Sequence, residues 1–258
     1  MTAIWSEEAG DPTHPLIALI HGAMDRSAGM LRVSRRLDHE FRVLRYDRRG
    51  YGRSNPHPGP FDMGGQVEDL VALLAGRRAV LVGHSYGGNV ALATAARHPD
   101  LVAGVAIYES PLSWEEWWPG STAGASALKA RGNPQEAAEA FMRRLIGDAR
   151  WDALPERTRA TRREEGPALV DELADLRENR PWHADAIHVP VIVGHGTRGA
   201  AHHQDGMRHV ADTVAGARLI EMDGCGHAAP NSHAERFRAE LIDPLLAAVG
   251  EPWGRPSS

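Results

Sequence analysis

Ala79-Val80-Leu81-Val82-Gly83-His84-Ser85-Tyr86-Gly87-Gly88 passes from an unbroken apolar run into a G-x-S-x-G turn. The apolar run reads as a strand buried on both faces. The residues after the turn, Asn89 to Arg97, read as a helix of mostly small side chains. Swinging from strand to helix in so few residues forces the serine into a strained conformation. It also leaves no space for β-carbons two positions before and after it. Gly83 and Gly87 provide that space, and the first amides of the helix point toward the serine and favour developing negative charge. Ser85 is therefore the candidate nucleophile of a nucleophile elbow.

Outward from this turn, short apolar runs alternate with helical stretches, the pattern of a mostly parallel, doubly wound α/β sheet covered on both faces. Strands are expected at 16–21, 41–46, 79–83, 102–108, 189–194 and 217–222, and helices at 27–38, 64–76, 86–97, 203–214 and 233–249. Open sheets of this kind place their chemistry in the loops at the carboxyl ends of the strands. The alternation stops between residues 110 and 187, where Pro119, Pro134, Pro155, Pro167 and Pro181 divide several helices. This stretch is expected to be a helical cap (111–187) inserted between two parts of an α/β core (1–110 and 188–258). Trp114, Trp117, Trp118, Trp151 and Trp182 fall within it. The first three have the i, i+3, i+4 spacing of one helical face, so they and Met24 are candidate substrate contacts. The Pro- and Gly/Ser-rich tail from Gly250 to Ser258 is expected to fray.

Composition narrows the function. With 258 residues, 42% hydrophobic content and a net charge of −5, the chain suits a sizeable core and argues against nucleic acid as a partner. Arg157, Arg159, Arg162 and Arg163 alternate with Glu156, Glu164 and Glu165, as on a solvated helical face. Cys225 is the single cysteine, so no internal disulfide is possible, and a cytoplasmic setting is expected. The first residues lack the pattern of a secretory signal, and no apolar run approaches the roughly 20 residues needed to span a bilayer. Neither a membrane partner nor a cofactor is expected. His195, His202, His203 and His209 lack the spacing of a metal motif, so no metal is expected either.

A serine hydroxyl needs a base, a group to orient that base and donors for the oxyanion. His227 is the candidate base: it lies in Asp223-Gly224-Cys225-Gly226-His227-Ala228, after the last expected strand, where glycines on either side of Cys225 let the chain curl back. His21-Gly22-Ala23-Met24 follows the strand beginning at Leu16. The oxyanion donors are assigned to the backbone N–H groups of Ala23 and Tyr86.

Together with Asp47-Arg48-Arg49-Gly50-Tyr51-Gly52-Arg53-Ser54, a D-x-R-G-x-G-x-S segment, these motifs resemble the α/β-hydrolase fold superfamily over nearly the whole chain outside the cap and tail. The resemblance implies a triad acid. In most such relatives it is an aspartate shortly after the penultimate core strand. That slot reads His195-Gly196-Thr197-Arg198-Gly199, without a carboxylate. Glu109, directly after the strand Val102 to Tyr108, is in the place where some superfamily members carry the acid. A carboxylate at the end of a buried strand also needs a hydrogen-bonding partner. Glu109 is assigned as the acid, with Asp205, Asp223 or no functioning acid as the alternatives. The resemblance implies a serine hydrolase working through an acyl-enzyme, and the aromatic cap and weak net charge point to a small or medium apolar ester or lactone as its substrate. A carbon–carbon bond hydrolase, a cofactor-free lyase, oxygenase or perhydrolase, and a non-catalytic ligand-binding protein are the other readings.

Overall fold

A computed structural model describes residues 3–250. Its strands are β1 (Ser6–Ala9), β2 (Leu16–Ile20), β3 (Arg42–Tyr46), β4 (Ala79–His84), β5 (Val102–Tyr108), β6 (Val191–Gly196) and β7 (Arg218–Met222). They form one seven-stranded sheet in the order β1-β3-β2-β4-β5-β6-β7. Only the β1–β3 pairing is antiparallel. Every residue of β2, β4, β5 and β6 is buried. Such strands carry apolar side chains on both faces, so they read in the sequence as continuous runs rather than alternations.

The core helices are α1 (Leu31–Leu37), α2 (Met63–Leu74), α3 (Tyr86–Arg97) and, later in the chain, α9 (Ala201–Thr213). Between β5 and β6 lie the five cap helices α4 (Ala123–Lys129), α5 (Pro134–Ile146), α6 (Asp148–Asp152), α7 (Glu156–Glu164) and α8 (Gly166–Glu178). Pro134 and Pro167 open α5 and α8, where a missing N–H costs nothing because the first-turn amides have no intrahelical acceptor. One apolar cluster lies on each face of the sheet. A third joins Met24, Tyr51 and Phe61 of the core to Phe141, Trp151 and Leu169 of the cap.

Three expectations are corrected. β1 was not foreseen; it is a polar edge strand. β6 begins at Val191 rather than 189 because Pro190 has no N–H for the ladder and contributes only its carbonyl, which accepts from Val105 N at 2.9 Å. The expected helix 233–249 is broken: short turns at Ala229–Ser232 and Ala234–Phe237 lead into a wider π-type turn at Arg238–Ile242 and a final helix at Asp243–Val249. Pro244, near the start of that last helix, cannot donate to the preceding turn. Of the tail, residues 251–258 lie outside the described residues.

Candidate active site

β4 delivers Ser85 to the carboxyl edge of the sheet, where its backbone adopts φ 54° and ψ −126°. A β-carbon on Gly83 would overlap the carbonyl oxygen of Gly87, and one on Gly87 the carbonyl oxygen of Ile20. Both obstacles are backbone, so glycine is required at these positions. Ser85 N donates to Tyr108 O at 2.9 Å, which ties the elbow to the end of β5.

His84 pairs with Tyr108 in the β4–β5 register, so the next residues, Ser85 and Glu109, leave adjacent strands side by side. Glu109 also has positive φ, 47°, and its N–H donates to Gly194 O at 3.0 Å. Its carboxylate is fully buried and has a donor on each oxygen. Gly196 N donates to Oε1 at 3.0 Å, and His227 Nδ1 lies 2.7 Å from Oε2. A buried carboxylate is tolerated when it is satisfied in this way. With Nδ1 donating to Glu109, the second imidazole nitrogen, Nε2, is left as an acceptor for the proton of a nucleophile.

The His227 loop is held from several sides. Tyr108 Oη donates to Gly226 O at 3.1 Å, Arg198 N to Cys225 O at 2.8 Å, and His84 Nε2 to His227 O at 2.8 Å. The His227 ring lies between His84, at 4.6 Å between centroids, and His203, stacked at 4.8 Å and 20°. Burial, reinforced by the nearby His227, pushes His84 down to about 3 and holds His203 well below the ordinary histidine value. Both are therefore neutral at physiological pH. Glu109, His203 and His227 bring their ligand-type atoms within 4.8 Å of one another, a grouping that histidine spacing in the sequence did not suggest.

The other candidate acids are engaged elsewhere. Thr197 Oγ1 donates to Asp223 Oδ1 at 3.1 Å and accepts from Gly224 N at 2.8 Å, so the slot without a carboxylate serves as a loop clasp. Asp205 is exposed on α9 and pairs with Arg208 at 3.1 Å.

Ser85, His227, Ala23 and Tyr86 line one cavity of about 580 Å³ between the core and the cap. Tyr86 is the first residue of α3, where an amide has no intrahelical acceptor. The structure records no Ser85–His227 hydrogen bond; such bonds are often long in free enzymes and tighten with substrate. Of the expected substrate contacts, only Trp118 lines this cavity. The helix expected through Trp114, Trp117 and Trp118 does not form. Glu115 N and Trp118 N instead close tight turns onto the carbonyls three residues earlier, in a segment bounded by Pro111 and Pro119. Trp114 packs edge-on against Trp182, Trp117 is 44% exposed, and Met24 is buried in the cap–core cluster.

Sequence reasoning missed a fully buried ion pair that ties cap to core. Arg48 Nη1 donates to Glu172 Oε2 at 2.7 Å and Tyr51 Oη to Glu172 Oε1 at 2.7 Å, with Arg48 and Glu172 both fully buried. Arg48 also donates to the carbonyls of His21 and Gly22 at 3.1 Å, so the same side chain braces the loop that carries Ala23. The signal was the second residue of the D-x-R-G segment, but its partner lies 124 positions away.

Residues 17–240 match the model of the alpha/beta hydrolase family. The chain is 29% identical to the pimeloyl-[acyl-carrier protein] methyl ester esterase of Neisseria meningitidis over 85% of its own length and 73% of that protein. It is 34% identical to the 2-(acetamidomethylene)succinate hydrolase of Mesorhizobium japonicum over 94 residues, so the match spans 35% of this chain and only 34% of that relative. Among solved structures it resembles the enol-lactonase of Burkholderia xenovorans LB400, with TM-score 0.72 and 28% identity over 95% of this chain and 96% of the other.

Proposed function

The chain belongs to the α/β-hydrolase family, and we propose that it is a serine hydrolase that transfers the acyl group of a small ester or lactone to water through a Ser85 acyl-enzyme. The observation that carries this reading is the 2.7 Å contact between buried Glu109 and His227, which lines one cavity together with Ser85. Its relatives include a methyl ester esterase and an enol-lactonase, which makes it an esterase- and lactonase-like enzyme.

In the proposed mechanism His227 Nε2 takes the Ser85 proton as Oγ attacks the carbonyl carbon, and the amides of Ala23 and Tyr86 hold the oxyanion. The imidazolium then donates its proton to the leaving oxygen, and the same nitrogen activates water to release the acid. Glu109 stays ionised throughout, fixes the tautomer and supports the cation. The core of 1–110 and 188–258 carries this machinery, and the cap of 111–187 shapes the space for the acyl or alcohol group.

Rapid mixing with 4-nitrophenyl acetate tests the reading. A burst of nitrophenolate equal to the enzyme concentration, absent in Ser85→Ala, is the expected result whenever deacylation is slower than acylation. Where no burst is resolved, electrospray of the acid-quenched mixture should still find the acetyl group on Ser85. Ester turnover that persists in Ser85→Ala overturns the proposal.

A further inference from the structure

The cap side of the cavity carries Lys129, Arg144 and Arg177, while no aspartate or glutamate is among the described residues that line it. These cations come from three different elements, α4, α5 and α8. Several other guanidinium groups of the cap pair with carboxylates: Arg143 and Arg163 with Glu139, and Arg159 with Glu156. Arg144 and Arg177 are held differently. Arg144 Nε donates to Ser121 O at 3.1 Å, and Arg177 Nη1 to Ser113 O at 2.8 Å.

Ser113 and Ser121 themselves line the cavity, so each guanidinium is anchored at its wall by a neutral carbonyl, with further N–H donors left over. His202, which also lines the cavity, is lowered by burial and by His227, against the raising effect of Glu109, with Arg144 adding a smaller lowering contribution. The same cavity is also lined by the apolar side chains of Leu128, Phe141, Leu145 and Leu173. The net charge of the chain, −5, gives no hint of this local field.

Building on the acyl-transfer reading, we propose that the substrate carries a carboxylate at the end remote from the scissile ester, seated by Arg144 and Arg177 with Lys129 adding to the local charge, and that a short aliphatic chain joins the two ends. A planar carboxylate suits a pair of guanidinium groups, and the apolar wall suits the methylenes between. The small or medium apolar ester expected from the aromatic cap and the weak net charge is thereby narrowed to a half-ester of a dicarboxylic acid, apolar between its two ends.

The test separates binding from turnover. Calorimetry on Ser85→Ala should find monomethyl glutarate bound at least about tenfold more tightly than dimethyl glutarate, the scale of hydrogen bonds to a charged group. The preference should shrink to less than about threefold when Arg144→Gln and Arg177→Gln are added, and it should weaken with salt. In parallel, wild-type kcat/KM for mono-4-nitrophenyl glutarate relative to 4-nitrophenyl pentanoate should fall about tenfold in the Arg144→Gln/Arg177→Gln variant. Equal binding of the two methyl esters, no binding of the monoanion, or a preference that survives both substitutions overturns the proposal. Preferential binding of the monoanion by a protein whose wild type forms no acyl-enzyme would instead leave the anion seat standing and remove the acyl-transfer reading.

Discussion

Replacing Glu109 by glutamine preserves shape and removes one charge, and the structure fixes how the new amide must sit. Gly196 N–H already donates to Oε1 at 3.0 Å, so the glutamine carbonyl oxygen belongs there and the NH₂ group faces His227 Nδ1, 2.7 Å from the present Oε2. An amide nitrogen can only donate, so Nδ1 must become the acceptor and the imidazole proton moves to Nε2. The nitrogen that should accept the serine proton is then already protonated, and the imidazolium formed during the reaction loses its counter-charge. The equivalent acid-to-amide change in a serine-protease triad lowers kcat about 10⁴-fold, which corresponds to roughly 5.5 kcal/mol of transition-state stabilisation. Glu109→Gln is therefore expected to lose between about 10² and 10⁴ in kcat on 4-nitrophenyl esters, with circular dichroism and melting behaviour close to wild type. Asp205→Asn and Asp223→Asn should change kcat less than about threefold, since one pairs with Arg208 and the other with Thr197. A loss below tenfold in Glu109→Gln, or a larger loss in either aspartate variant, would refute this role for Glu109.

Three further outcomes are expected. Glu172→Ala leaves Arg48 charged and without its carboxylate in a fully buried site, so urea unfolding should report a loss of about 3–5 kcal/mol; a loss under about 1 kcal/mol would mean that the cap does not depend on this pair. Buried His84, held down to about 3, and His21, lowered by burial and Arg48, remain neutral when folded, whereas in the unfolded chain each takes a proton near the ordinary value of about 6.5. Their stability contribution is thus complete above pH 6.5 and is lost as pH falls below it, for His84 until about pH 3, at about 1.4 kcal/mol per pH unit for that histidine; denaturation curves that coincide at pH 7 and pH 5 would contradict it. Trp118→Ala should alter KM differently for short and bulky acyl esters, while Trp117→Ala should not, because only Trp118 lines the cavity; identical effects of the two substitutions would show that neither sets acyl size.

The parts of the fold that were legible in the sequence are those whose physics is local. The run Ala79 to Val82, the glycine-flanked serine and the helix at 86–97 lie where expected because a doubly covered strand must be apolar throughout and the elbow must lack β-carbons. β1 gave no such signal: Ser6-Glu7-Glu8 is an exposed edge whose strand character comes only from pairing with β3. The tryptophan spacing at 114, 117 and 118 imitates a helical face, but prolines at 111 and 119 leave the segment in turns. At the site, the conspicuous buried carboxylate Glu109 could be singled out because its cost demands a partner, and the structure brings it to His227. The stacking of His203 on His227 and the Arg48–Glu172 bond depend on residues distant in sequence, and nothing near either partner announces the other. The cationic rim was illegible for the same reason, since Lys129, Arg144 and Arg177 come from separate helices and nothing near any one of them announces the others.

Reaction with a fluorophosphonate probe, followed by peptide mass spectrometry, asks whether Ser85 is an activated nucleophile without assuming any substrate. One adduct, on the peptide containing Ser85, should form in the wild-type protein, and its rate should drop by at least about 10²-fold in His227→Ala, because a serine hydroxyl is weakly nucleophilic without its base. No adduct, an adduct on another residue, or equal labelling in His227→Ala would contradict the assignment of Ser85 and His227 as nucleophile and base.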